Sequence, residues 1–271
     1  MPELAEVEFI RKRWNPALKK KIDRVLLRGG SRLLRGVDTD LLAQTLTGAT
    51  FLSSEAAAKQ MLFRFSGDAW LGIHLGMTGE LKLQTPDYHP AKHDHLVLYT
   101  RENALVFSDF RMFGRIQFSV GTEAPEWWSS IAPAIVSPAF TVKAVADFLT
   151  RRKRAPIKAV VLMQERFPGI GNWMADEILW RAEIHPKRLA GSLNESEIKA
   201  LHRECRWVAR EALKIVGTDY GDLPKSWLFH HRWEKGGVCP KTGVPLKREE
   251  IGGRTTCWSP GRQKMRPTSK S

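Results

Sequence analysis

The sequence predicts an α+β protein: a β-sandwich or barrel, then a helical segment, then a basic β tail. Between residues 22 and about 118, short apolar runs are separated by Gly, Pro, Asn and Asp, which is typical of strands joined by turns. From 142 to about 216 the apolar residues recur at helical spacing, and residues 217–271 return to turns and short strands. A chain of 271 residues is long enough for two domains, or for one large domain.

The elements follow in chain order. Residues 3–18 are predicted to form a helix, because acidic side chains lie near its start and basic ones near its end, as the helix dipole favours. The apolar runs then predict about eight strands. The identifiable strand segments are 21–28, 60–65, 69–75, 80–84, 95–100, 104–107 and 115–120. Residues 121–141, with three prolines, are predicted to be a linker, and helices are predicted at 142–149, 157–164, 173–182 and 197–216.

Composition excludes several classes of protein. With 42% hydrophobic residues the chain can build a packed core, so wholesale disorder is not expected. It contains no apolar run of roughly 18 residues that could span a membrane, and its first ten residues lack a signal-peptide core. Three cysteines are too few for a disulfide framework and suggest a reducing compartment.

The charge of the chain points to a polyanionic partner. Lys and Arg number 43 against 29 Asp and Glu, a formal net charge of +14. Residues 231–271 hold ten of these basic residues and three acids, and a second basic run occupies 151–154. Either run alone could be a solvated face or tail, but together they favour a phosphate-binding surface. Charge alone does not separate nucleic acid from an anionic membrane.

Pro2 is a candidate nucleophile. A small second residue normally allows Met1 to be removed, which would leave Pro2 with a free secondary amine. An α-amino group ordinarily has a pKa of about 7.7–8.0, so part of it is unprotonated at neutral pH. Such an amine can attack the anomeric carbon of a sugar, and Glu3 and Glu6 beside it could move protons. The alternative is that Pro2 only starts the helix.

Residues 2–8, PELAEVE, closely resemble the start of the formamidopyrimidine-DNA glycosylase / endonuclease VIII family, which usually has Pro in place of Ala5. Further matches follow in the family's order over nearly the whole chain. Residues 73–79 resemble the family's IHLGMSG strand and turn, and residues 108–114 resemble its DPRRFG loop. The family's helix–two-turns–helix element is resembled by residues 157–163, 169–177 and 184–186.

The resemblance implies the architecture in more detail. It implies an N-terminal catalytic β-sandwich domain flanked by helices at 1–120 and a linker at 121–141. A helix–two-turns–helix domain at 142–226 and a finger β-hairpin with a basic tail at 227–271 would complete the chain.

The resemblance also implies the roles of individual residues. Those implied to be catalytic are Pro2, Glu3, Glu6 and Lys59, and those implied to contact DNA are His74, Lys158, Asn172 and Arg254. Met77, Arg111 and Phe113 would fill the stack after the damaged base is extruded, since apolar wedges and an arginine can do this. In isolation, Met77, Phe113 and His74 could instead be core residues, and Lys158 and Arg254 solvated ones.

The finger departs from the zinc-binding pattern that many relatives carry. Only Cys239 occupies an expected cysteine position, while Ser259 and Arg262 stand in two others and Cys257 is two residues early. Structural zinc requires four thiolate or imidazole ligands, and His230 and His231 could give at best an irregular site. We therefore expect a zincless finger, held by packing.

The resemblance thus implies a bifunctional DNA glycosylase/AP lyase of base-excision repair that cleaves the strand by β,δ-elimination and needs no cofactor. Its expected partner is damaged double-stranded DNA, bound by a monomer in the cytoplasm (bacterial nucleoid) or the nucleus, with no membrane. The segment 216–225, which precedes the finger, is short compared with 8-oxoguanine-preferring relatives, so a strong preference for that lesion is not expected. The alternatives are a non-catalytic damaged-DNA-binding relative and a ribosomal-type RNA binder.

Overall fold

The structure, a computed structural model, describes residues 2–233 and 235–265. The fold is α+β, as predicted, and the chain divides into two compact units, Met1–Ile131 and Ala132–Ser271. The division falls within the predicted linker 121–141, which contains a short helix, Glu126–Ser129. In the described part of the chain, no helix combines the length and the apolar character needed to cross a membrane.

The first unit contains two four-stranded antiparallel sheets, with strand orders β1-β6-β7-β5 and β2-β3-β4-β8. Its strands are β1 Arg24–Leu27, β2 Phe51–Ala57, β3 Gln60–Phe65, β4 Ala69–His74, β5 Glu80–Gln84, β6 Asp94–Tyr99, β7 Ala104–Ser108 and β8 Arg115–Val120. Its helices are α1 Leu4–Lys12, α2 Thr39–Leu46 and α3 Glu126–Ser129. Buried side chains of both sheets, such as Phe63 and Phe107, belong to one core cluster. The predicted β-sandwich is therefore confirmed.

Three details of the first unit differ from the prediction. The first helix ends at Lys12 and is followed by a 3-10 turn, Asn15–Ala17, because Pro16 has no N–H to donate to the carbonyl of Lys12, as a continued α-helix would require. Helix α2 was not predicted, although Asp38 caps it by accepting from the N–H of Leu41 at 2.9 Å. Strand β2 was also missed, since its polar run SSEAA carries little strand character, and it is defined by pairing with β3.

The second unit is mainly helical. Its helices are α4 Val142–Arg151, α5 Ile157–Val160, α6 Asn172–Arg181 and α7 Glu195–Asp219. Helix α5 is shorter than the predicted 157–164, because the Gln164 amide bridges the following turns: it donates to Leu162 O and Ile170 O and accepts from Gly169 N. Helix α7 begins with a capping box between Asn194 and Glu197 and ends at Tyr220 in the left-handed conformation.

The finger is the hairpin of β9 Lys247–Ile251 and β10 Arg254–Trp258. Its turn contains Gly252 and Gly253, both with positive φ, as a tight hairpin turn requires. A side chain at Gly252 would collide with Ala159 of α5, at 2.7 Å, so glycine lets the hairpin turn contact that helix. Cys239 and Cys257 pack with Trp180 and Leu228 in a small core beneath the hairpin.

Candidate functional site

The N-terminal residues form a compact arrangement at the start of α1. Glu3 is the N-cap, and its carboxylate accepts the N–H of Glu6 while Glu6 Oε2 accepts the N–H of Glu3 at 3.2 Å. This capping box holds two carboxylates within one turn of Pro2, at the positive end of the helix. Glu3 is buried and Pro2 half-buried. Met1 lies outside the described residues, so its removal stays a prediction.

Lys59 and His74 lie together at one end of the second sheet. Lys59 precedes Gln60, which is the cross-strand neighbour of His74 at the end of β4. His74 Nδ1 accepts from the N–H of Gly76 at 3.0 Å, so in the neutral ring the hydrogen is on Nε2. Burial, and then the positive charges of Lys59 and Arg115, lower the pKa of His74. The site thus offers a neutral N–H donor beside an ammonium group, a combination suited to a phosphate.

Two neighbouring turns carry Met77, Arg111 and Phe113. Met77 is 40% exposed and Phe113 52% exposed, so neither is a core residue. The Arg111 guanidinium lies 4.8 Å from the centroid of the Phe113 ring, in a cation–π arrangement. Because all three side chains are exposed on adjoining turns, they can form one projecting surface.

Asn172 begins α6, directly after the two turns that follow α5. Gly169 has a φ of +86°, and Gly171 is the N-cap, so the backbone turns sharply into the helix. Asn172 Nδ2 donates to Thr255 O in the finger at 2.8 Å. Arg254, the preceding residue, is exposed at the first position of β10. The second unit thus brings Asn172 and Arg254 together beside a helix N-terminus, where an anion is favoured.

Lys158 differs from the expectation of a direct DNA contact. Its side chain is fully buried, and Nζ donates to Asp176 Oδ1 at 2.5 Å and to Asn172 O at 2.9 Å. The other carboxylate oxygen of Asp176 accepts from Arg232 at 2.6 Å and from the N–H of Cys257 at 3.0 Å. An ammonium group committed to these partners is inaccessible to a phosphate. Lys158 instead joins α5, the start of α6 and the finger.

The finger residues do not fit a zinc ion. The Cys239 thiol accepts from Trp180 Nε1 at 3.4 Å. Burial raises the pKa of Cys239, but the nearby polar groups of Ser259, Thr242 and Trp180 outweigh it, and the pKa falls to about 7. Each Nε2 of His230 and His231 lies within hydrogen-bond distance of a backbone carbonyl, of Leu223 and Lys225 respectively, and so serves as a donor there. Within 2–233 and 235–265, no three His, Cys, Asp or Glu side chains cluster as metal ligands.

Sequence reasoning missed Asp109 and His95, which lie behind the turn that carries Arg111 and Phe113. Asp109 is fully buried, and its carboxylate accepts hydrogen bonds from Thr78 Oγ1 and from the N–H of Gly114. His95, also buried, lies 3.0 Å from the backbone carbonyl of Asp109. The signals were available, since a polar Asp directly follows the apolar strand β7 and His95 interrupts the apolar β6.

Comparison with protein families gives two matches. A model described as the formamidopyrimidine-DNA glycosylase N-terminal domain matches residues 1–116, and one described as the formamidopyrimidine-DNA glycosylase H2TH domain matches residues 131–221. Together these matched segments contain each of the proposed site residues except Arg254.

Curated relatives match along their length. The formamidopyrimidine-DNA glycosylase of Desulfitobacterium hafniense (strain DSM 10664 / DCB-2) is 34% identical over 96% of this chain and 98% of that protein. The protein of the same name from Solibacter usitatus (strain Ellin6076) is 33% identical over 97% of this chain and 100% of its own length. The one from Arabidopsis thaliana is 28% identical over 98% of this chain and 71% of its own.

Solved structures agree with these matches. The Lactococcus lactis formamidopyrimidine-DNA glycosylase, bound non-covalently to DNA with an AP site, has a TM-score of 0.86 at 27% identity, covering 97% of this chain and 100% of its own. A structure of MutM in complex with DNA containing carbocyclic 8-oxo-G has a TM-score of 0.87 at 28% identity, with the same coverage.

Proposed function

The chain belongs to the formamidopyrimidine-DNA glycosylase family, and from this premise we propose that it is a DNA glycosylase/AP lyase that excises oxidised bases from duplex DNA in base-excision repair. The observation that carries the proposal is the arrangement of Pro2, Glu3 and Glu6 at the start of α1. It places a potential secondary amine beside two carboxylates that are held in position by the helix they cap.

In the proposed reaction the Pro2 amine attacks C1′ of the damaged nucleotide. The C1′–N bond to the base breaks, and the base leaves with a proton. Glu3 protonates the sugar ring oxygen as the ring opens, which leaves an iminium between Pro2 and C1′. A carboxylate at the site or water accepts a C2′ proton as the 3′ phosphate leaves, and loss of the C4′ proton then expels the 5′ phosphate. Water hydrolyses the remaining iminium, which releases the sugar fragment as an aldehyde and returns the Pro2 amine. Glu6 tunes the proton transfers through its contact with Glu3.

The other site residues bind and open the duplex in this proposal. Lys59 and His74 contact phosphates near the lesion, and Asn172 and Arg254 contact phosphates from the second unit. Met77, Arg111 and Phe113 enter the stack when the base is extruded, with Arg111 facing the orphaned partner base. Lys158 keeps Asn172 and the finger in position instead of binding DNA. Because the buried ammonium cannot reach a phosphate, this replaces the role implied by the resemblance.

Borohydride trapping tests the proposal directly. The purified protein is incubated with duplex DNA containing an abasic site, and borohydride is added to reduce any iminium. We expect a covalent protein–DNA adduct that peptide mass spectrometry places on Pro2, and we expect the adduct to be retained in Pro16→Gly, a matched proline outside the site. Intact mass spectrometry of the same sample should show that Met1 is absent. If no adduct forms on any abasic duplex, the lyase assignment is wrong.

The second candidate is a non-catalytic relative that binds damaged DNA without cleaving it. The capping arrangement of two carboxylates next to Pro2 argues against it. The two functions separate in the trapping experiment, because the non-catalytic relative would bind the abasic duplex but leave no adduct. In either case we propose that the chain acts as a monomer on chromosomal DNA, in a nucleoid or a nucleus.

The preferred lesion follows from the segment before the finger. Between the end of α7 at Asp219 and Trp227 there are only seven residues, none of them in a helix or strand, beginning at the exposed Tyr220. So short a segment offers little chain to close over a purine lesion. We therefore propose that 8-oxoguanine is not strongly preferred over other oxidised purines, hydantoins or oxidised pyrimidines, as measured in single-turnover assays on matched duplexes.

A further inference from the structure

The two turns that carry the proposed stack-filling residues are tied together by one buried carboxylate. Asp109 Oδ1 accepts from Thr78 Oγ1 at 2.5 Å, and Thr78 directly follows Met77. Asp109 Oδ2 accepts from the N–H of Gly114 at 2.7 Å, and Oδ1 also lies 3.3 Å from the N–H of Arg111. The side chain of Asp109 therefore contacts both turns: Thr78 in the turn that carries Met77, and Gly114 in the turn that carries Arg111 and Phe113.

The backbone of Asp109 is held from behind. Its N–H donates to His93 O at 2.9 Å. Its carbonyl lies 3.0 Å from His95 Nε2, which must donate there because a carbonyl only accepts. The other nitrogen of that buried ring lies 2.7 Å from Ser31 Oγ. These contacts fix the backbone of Asp109 against the core of the sandwich, and so they fix the point from which its carboxylate projects.

The two turns also approach each other closely. A Cβ at Gly76, where φ is +61°, would lie 2.4 Å from the carbonyl carbon of Phe113 and 2.6 Å from the nitrogen of Gly114. Only glycine permits this contact. Met112, between Arg111 and Phe113, has a φ of 54°, a left-handed conformation that is unfavourable for a methionine and that the surrounding bonds must maintain.

We propose that Asp109 is the positioning residue that holds Met77, Arg111 and Phe113 as one preformed wedge for opening the duplex. This inference rests on the proposed function, since it concerns how the damaged base is extruded. A preformed wedge loses little conformational freedom on entering the stack, whereas separate turns would have to be ordered at that moment. The carboxylate is suited to the task because it accepts from every side and donates to none.

Asp109→Asn tests the proposal, because an amide has only one acceptor oxygen and cannot accept from Thr78 and from Gly114 at once. The first readout is the fluorescence of 2-aminopurine placed opposite an abasic analogue, which reports disturbance of the stack without requiring catalysis. We expect the stopped-flow rate of that change to fall about ten- to hundredfold, as for loss of a hydrogen bond to a charged group. The exposed Asp87→Asn, in the same unit, is the matched control and should match wild type.

The second readout is single-turnover excision of the same oxidised base from a duplex and from a single strand. The Asp109→Asn rate should fall on the duplex and stay within about threefold of wild type on the single strand, where no stack has to be opened. Equal losses on both substrates would overturn the proposal, as would no loss on either.

Thr78 variants keep the test decisive if Asp109→Asn does not fold. Thr78→Val removes one hydrogen bond to the carboxylate, and Thr78→Ser retains it. We expect Thr78→Val to slow the 2-aminopurine change and Thr78→Ser to restore it. If both variants behave like wild type, Asp109 has no positioning role. Failure of the proposed function looks different: wild type would disturb 2-aminopurine but leave no borohydride adduct.

Discussion

His74 is kept in its neutral form by its surroundings, which defines what it can offer a phosphate. Burial is the largest effect that lowers the pKa of His74, and the positive charges of Lys59 and Arg115 lower it further. The pKa of His74 therefore lies below its ordinary value of 6.5. The N–H of Gly76 occupies Nδ1, which leaves Nε2 as the donor. In the proposed function, the imidazole would therefore bind a phosphate through a neutral hydrogen bond, and Lys59 would supply the charge.

A pH dependence of stability follows from this lowered pKa. Below pH 6.5 the unfolded chain binds a proton at His74 that the folded protein resists, so the stabilising contribution is present above pH 6.5 and is lost as the pH falls. We expect the free energy of unfolding of wild type, relative to His74→Gln, to decrease between pH 7.5 and 5. Urea denaturation at both pH values measures this. A difference between the two proteins that does not change with pH would contradict it.

At the residue level, the sequence predicted the arrangement of site residues where those residues are close together along the chain. Pro2, Glu3 and Glu6 fall within one helical turn, so their proximity follows from their spacing. Lys158 shows the opposite case, because its burial depends on Asp176, which lies 18 residues further along the chain. No local pattern distinguishes a lysine that binds a phosphate from one that pairs with a distant carboxylate.

Helix α6 also contains the buried carboxylate of Glu177, whose effect on stability has the opposite pH dependence to that of His74. Burial raises its pKa to about 7, against the opposing effects of the Arg181 charge and the N–H of Phe229. Between pH 4.5 and 7 the folded protein therefore holds a proton that the unfolded chain has released. Its contribution to stability is full below pH 4.5 and is lost as the pH rises through about 7.

We expect Glu177→Gln, which is neutral at every pH, to remove this slope. The free energy of unfolding of wild type, relative to the variant, should fall by on the order of 3 kcal/mol from pH 4.5 to pH 8. Denaturation followed by tryptophan fluorescence measures it, since Trp173 and Trp180 lie on the same helix. The exposed Glu250→Gln is the control and should show no such trend, and a parallel trend in both variants would contradict the assignment to Glu177.

Among the secondary-structure elements, strands with a strong apolar pattern of their own were predictable. A strand that is recognised only by its pairing with a neighbouring strand was not. Segments 60–65 and 115–120 were predicted with the same limits that β3 and β8 have. Strand β2 has a polar sequence and forms because β3 pairs with it. Helix α5 stops early because the Gln164 side chain satisfies the backbone of the next turns, a tertiary arrangement that periodicity cannot reveal.

Whether the finger contains zinc can be measured directly. Its single in-register thiol, Cys239, accepts a hydrogen bond from Trp180 and packs with Leu228 and Cys257. We propose that this packing takes the place of zinc ligands. We expect purified protein to contain no stoichiometric zinc. We also expect its melting temperature to stay the same after treatment with a strong chelator, with a zinc-finger protein as the positive control. One zinc per chain by metal analysis would refute the zincless finger.

For the whole molecule, the excess of positive charge predicts a steep dependence of DNA binding on salt. Each phosphate that a basic side chain neutralises releases counterions, which contributes about −0.9 to the slope of log affinity against log salt. A net charge of +14 favours binding to DNA in general, but only the cations that reach phosphates contribute to this slope. The slope can therefore separate Arg254, which is exposed, from Lys158, which is buried.

Substitution of these two residues should thus have different effects on the salt slope and on stability. Arg254→Gln removes a phosphate contact, so the slope should become shallower by about one, while the free energy of unfolding stays the same. Lys158→Met leaves Asp176 without one of its cations, so the protein should lose about 3 kcal/mol of stability while the slope is unchanged. Fluorescence anisotropy between 50 and 200 mM salt, paired with urea denaturation, measures both quantities. A shallower slope in Lys158→Met would return that lysine to the DNA interface, because a cation that only supports Asn172 and the finger releases no counterions.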